Sequence, residues 1–64
     1  MVLLRAEEVA VRLRLSKAWV YELVKRREIP HVKFGNRAVR FPEEEIERWL
    51  ASRLRPRGGG DDAA

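Results

Sequence analysis

A mostly α fold, ordered helix, helix, β-hairpin, helix, is predicted from three features of this 64-residue chain. Apolar residues recur at helical spacing in three stretches. A Gly-Asn pair joins two short alternating segments. A short link, Arg14-Leu15-Ser16, separates the first two helical stretches.

The first helix is expected over about Ala6–Leu13, with Leu4 leading in and Val9, Ala10 and Leu13 as its buried stripe. Glu7 and Glu8 fall in its first turn, where negative charge complements the positive end of the helix dipole. Ser16 suits the N-cap of a second helix, Lys17–Arg26, because its hydroxyl can accept an otherwise unpaired backbone N–H. Val20, Leu23 and Val24 form that helix's apolar stripe. Pro30 ends the helical region. His31–Phe34 and Arg37–Phe41 alternate on either side of Gly35-Asn36, which predicts a two-residue, type II′ hairpin. In that register Val32 pairs with Val39 on the core face, and His31, Lys33, Ala38 and Arg40 face outward. Pro42 suits the first position of a third helix, whose start carries Glu43, Glu44 and Glu45. Ile46, Trp49, Leu50 and Leu54 are expected to be its buried face.

Composition removes several function classes. There are no cysteines and one histidine, so neither a disulfide framework nor a structural zinc site can be built. His31 is therefore read as neither catalytic nor metal-binding. One Ser at a helix cap and one distant His cannot supply a nucleophile, base and orienter, and the carboxylates cluster in solvated helix starts. No enzyme, cofactor or metal is expected. No apolar run approaches the ~20 residues that cross a bilayer, and the N-terminus lacks a signal-peptide pattern, so a cytoplasmic protein is expected, with no membrane partner. Residues 1–54 should form one domain and 55–64, with three consecutive glycines, a flexible tail.

Charge is divided unevenly. Residues 12–40 hold nine basic and two acidic side chains, whereas residues 42–52 hold four glutamates and one arginine. The second helix turns its core stripe one way and Lys17, Ala18, Tyr21, Glu22 and Lys25 the other, with Trp19 and Arg26 on the flank. Such a face suits a major groove: Ala18 permits close approach, the lysines reach phosphate or guanine, and Glu22 can accept from a cytosine amino group. Ser16 has a phosphate contact as a second possible role. Trp19 can shield the core edge or meet DNA or a partner protein, and Tyr21 can pack at the helix edge or contact a phosphate. The hairpin adds Lys33, Arg37 and Arg40 as a basic finger. The pieces together describe a winged helix-turn-helix. Lys17, Ala18, Glu22 and Lys25 are the expected base-edge residues. Arg14, Tyr21, Lys33, Arg37 and Arg40 are the expected backbone contacts.

The same residues carry a family resemblance. Glu7-Glu8-Val9-Ala10, Leu15-Ser16, Val20-Tyr21-Glu22-Leu23-Val24, the Ile29–Arg37 run and Glu45–Leu50 resemble the excisionase-type helix-turn-helix domain, similar in fold to the DNA-binding head of MerR-like regulators. The resemblance covers about residues 3–52. Arg14 and Arg27 stand where that family commonly has glycine, and Arg5 where it usually has Ser or Thr. It implies double-stranded DNA as the partner, with the second helix in a major groove and the hairpin on the neighbouring minor groove or backbone. It also implies excisionase, transcription-regulator or phage-packaging roles and, for localisation, the nucleoid. A module this small buries little DNA surface, so self-association on repeated DNA sites is expected to support tight binding. The alternative is a protein-interaction module that docks a recombinase, polymerase or packaging subunit through Trp19 and the acidic third helix.

Overall fold

The computed structural model describes residues 1–54, so the tail expected over 55–64 lies outside the described residues. The order is β1 (Leu3–Leu4), α1 (Ala6–Leu13), α2 (Lys17–Lys25), β2 (Val32–Phe34), β3 (Ala38–Pro42) and α3 (Glu43–Arg53). Three helices and an antiparallel sheet of order β1-β3-β2 make a winged helix-turn-helix.

Each helix boundary has a local cause. The α1 start lacks a side-chain oxygen at its cap, since Arg5 sits there, but Glu8 turns back and accepts the Arg5 backbone N–H at 2.7 Å. This is one half of a capping box. Ser16 Oγ accepts the Trp19 N–H at 3.0 Å and opens α2 as expected. Both helices close in the same way. Leu15 N–H donates to Ala10 O and Arg14 N–H to Val11 O; Glu28 N–H donates to Leu23 O and Arg27 N–H to Val24 O. These are the paired bonds of a Schellman cap, which needs a left-handed residue. Arg14 and Arg27 supply it, at φ 57° and 59°.

The core is Leu4, Ala6, Val9, Ala10, Val20, Leu23, Val24, Ile29, Phe41 and Ile46, with Phe41, Val9 and Val20 wholly inside. Leu13, Val39 and Trp49 pack around it, partly buried. The two helical stripes read from periodicity thus meet each other, and α1 and α3 pack on β3.

Four expectations need correction. A third strand, β1, pairs with β3 (Leu4 opposite Phe41), and Glu43 N–H donates to Val2 O at 2.9 Å. Two residues are too few for alternation to register. Next, the hairpin loop holds three residues, Gly35, Asn36 and Arg37, rather than two. The register therefore shifts by one: Lys33 stands opposite Val39, Val32 opposite Arg40 and Phe34 opposite Ala38. A one-residue shift exchanges faces. Phe41 and Val39 fix the inward side of β3, so Lys33 shares that side, while Val32 and Phe34 on the edge strand are left 37% and 54% exposed. Third, Pro42 ends β3 and occupies the N-cap of α3, and the helix begins at Glu43. Last, Leu50 and Leu54 are 49% and 76% exposed rather than buried. The domain is too small to put a layer beneath the last turns of α3, and its packing stops at Trp49.

Candidate nucleic-acid interface

α2 is held by Val20, Leu23 and Val24, and this decides what it presents. With these three pointing inward, Lys17, Ala18, Trp19, Tyr21 and Lys25 are exposed and Glu22 is half-buried. Arg14 and Ser16, just ahead of the helix, are exposed too. Eight of the expected site residues are thereby gathered on α2 and its approach.

Several of these groups already have partners. Lys17 Nζ lies 3.5 Å from Glu7 Oε2, linking the start of α2 to α1. A hydrogen bond with the Glu7 backbone, and then the Lys17 ammonium, hold the Glu7 carboxyl below its ordinary value. Arg26 Nε donates to Glu22 Oε2 at 3.1 Å, and the Arg26 guanidinium lies over the Trp19 ring, 5.3 Å from its centroid. Trp19 is 42% exposed, and the Arg26 guanidinium lies over its ring. An isolated exposed pair such as Lys17–Glu7 contributes up to about 1 kcal/mol, so it leaves the lysine available.

The hairpin cations are arranged differently from the expected single finger. Arg37 is in the exposed loop after Gly35, whose φ of 80° turns the chain. Lys33 and Arg40 take opposite faces of the hairpin because of the three-residue loop. Arg40 is half-buried, and its Nη1 donates to the carbonyl of Val39 at 2.9 Å. His31 is engaged locally, its Nδ1 2.8 Å from the Ile29 carbonyl oxygen.

Two features of this surface go beyond the expected site residues. Arg27, which stands where the resembled family commonly has glycine, is exposed in the left-handed region beside the end of α2, and no described residue pairs with its side chain. The second is the cluster Trp19, Glu22 and Arg26, visible in hindsight as i, i+3 and i+7 on one helix.

What the surface offers chemically is positive charge with hydrogen-bond donors around a small central residue, with no group of His, Cys, Asp and Glu placed to hold a metal among the described residues. Comparison with known proteins agrees with the fold. A family model described as a helix-turn-helix domain matches residues 3–54. The chain is 36% identical over 61 residues to uncharacterized protein ORF88 of Enterobacteria phage P4, a match that covers 94% of this chain and 69% of that protein. No solved structure matches.

Proposed function

We propose that this chain, which belongs to the helix-turn-helix domain family of the excisionase type, is a sequence-specific binder of double-stranded DNA. DNA binding by a helix-turn-helix is the function that its family carries, and the family is typically non-enzymatic. One observation supports the finer reading above others: opposite Val20, Leu23 and Val24, the α2 residues Lys17, Ala18, Tyr21 and Lys25 are exposed among the described residues. An α-helix with its side chains is about 10–12 Å across, which fits the ~12 Å width of a major groove.

In this reading Lys17, Ala18, Glu22 and Lys25 face base edges. Arg14 and Tyr21 take backbone phosphates, with Ser16 offering its hydroxyl beside them. Arg37 at the hairpin tip reaches the adjacent backbone or minor groove, flanked by Lys33 and Arg40 from the two faces. The chain acts without chemistry of its own, as an excisionase-like factor or small transcription regulator that bends or marks DNA and so recruits or blocks a recombinase or polymerase. Several copies on repeated sites supply the affinity that one small module lacks.

The test is selection of duplexes from a random pool by the wild-type chain, followed by titration of variants. Arg37→Ala is expected to weaken binding to all sequences alike, and Glu22→Ala to flatten the preference at one base position. Failure to enrich any sequence contradicts sequence-specific binding.

A further inference from the structure

We infer that Arg26, at the end of α2, contacts the duplex, and that Trp19 and Glu22 hold it ready to do so. The inference rests on the duplex-binding reading above. Trp19, Glu22 and Arg26 stand three and seven residues apart, so they share one flank of the exposed face of α2. Nε of Arg26 donates to Glu22 Oε2 at 3.1 Å, and its guanidinium carbon lies 5.3 Å from the Trp19 ring centroid. The carboxylate engages the guanidinium through Nε, and the ring lies beneath its central carbon.

The edge formed by Nη1 and Nη2 has no partner among the described residues, and the side chain is 50% exposed. That edge offers two parallel N–H donors, which match a pair of acceptors on DNA: two oxygens of one phosphate, or N7 and O6 of guanine. An unrestrained arginine loses rotamer freedom when it binds. Here two contacts have removed much of that freedom beforehand. The same contacts account for a carboxylate on a face proposed to meet phosphates. Glu22 Oε2 is spent on Arg26, which offsets its charge locally, while Oε1 has no partner among the described residues and can accept from a cytosine amino group.

Arg26 is the proposed contact, and Trp19 and Glu22 are positioning residues. The experiment is a fluorescence-anisotropy titration of the full chain at fixed salt. One probe is a short unselected duplex and the other a duplex enriched by the wild-type chain. Arg26→Lys keeps the charge but loses the planar fork, and is expected to bind about tenfold more weakly. Equal loss on both probes assigns the acceptors to phosphate; loss on the enriched duplex alone assigns them to guanine. On the probe that reports the loss, Trp19→Ala is expected to weaken binding several-fold, with Trp19→Phe restoring it.

Glu22→Ala gives the sharpest contrast. Removing an acidic group from a DNA-facing surface should tighten binding if charge alone matters. Positioning predicts weaker binding, and no further loss when Glu22→Ala is added to Arg26→Ala. Far-UV circular dichroism checks the fold of each variant. Wild-type affinity for Arg26→Lys on both probes, or tighter binding by Glu22→Ala, overturns this inference alone. A wild-type chain that binds neither probe overturns the duplex-binding reading and this inference with it.

Discussion

At the scale of single residues, the backbone of Arg14 and Arg27 sets fold and function against each other. Each closes a helix in the left-handed region, at φ 57° and 59°, where an L side chain brings Cβ close to the carbonyl oxygen. Glycine is free of that clash. Arg14→Gly and Arg27→Gly are each expected to raise stability by about 1 kcal/mol, or roughly 4–8 °C in Tm for a domain of this size. Thermal unfolding followed by circular dichroism measures it. Arg14→Gly is expected to weaken duplex binding at the same time, because the side chain lost is a proposed phosphate contact. Glu7 makes a smaller residue-scale statement. Its carboxyl is held below the ordinary range, by its backbone hydrogen bond first and by Lys17 second, so the ionised form is favoured by folding. Its stabilising contribution is therefore complete above the unfolded-state pKa and disappears as pH falls through the lowered folded value. An NMR titration of Glu7 is expected to give a midpoint below that of a glutamate in an unfolded peptide, and Lys17→Ala to move it upward.

Among the elements, the helices were legible and the sheet was less so, for physical reasons. Val9 and Ala10, and Val20, Leu23 and Val24, are spaced for a 3.6-residue turn, and Ser16 marks a cap; those signals are local and fixed α1 and α2. The exposed face of α2 followed from the same geometry. The hairpin depended on one turn residue. Gly35-Asn36 is equally compatible with a loop that takes in Arg37, and that single residue moved Lys33 and Arg40 to opposite faces. For α3, periodicity marked Leu50 and Leu54 as apolar but carried no information on where the underlying layer ends. Ile46 is 3% exposed and Leu50 49%. Ile46→Ala is accordingly expected to cost about 2–5 kcal/mol, and Leu50→Ala less than about 1 kcal/mol, in urea unfolding. Equal costs would contradict the depth assigned to α3. The Trp19, Glu22 and Arg26 cluster was harder to read, since i, i+3 and i+7 neighbours on a helix acquire meaning only once their side chains are placed.

Across the whole molecule, the division of charge is the property on which the proposed function depends. The region that contains α2 and the hairpin carries nine basic and two acidic side chains, and α3 begins with three consecutive glutamates. Ion pairs join the two regions, Arg12 to Glu43 at 2.8 Å and Arg53 to Glu28 at 3.6 Å. The side chains of the α2 face remain at the surface. A cationic face of this kind binds a polyanion by displacing its condensed counterions, and the salt dependence counts the phosphates engaged. The decisive measurement is the affinity of the chain for duplex DNA across a series of salt concentrations. With about four to six phosphates neutralised, log K should fall against log salt with a slope near −4 to −5. A flat response would mean that this face does not meet a nucleic-acid backbone.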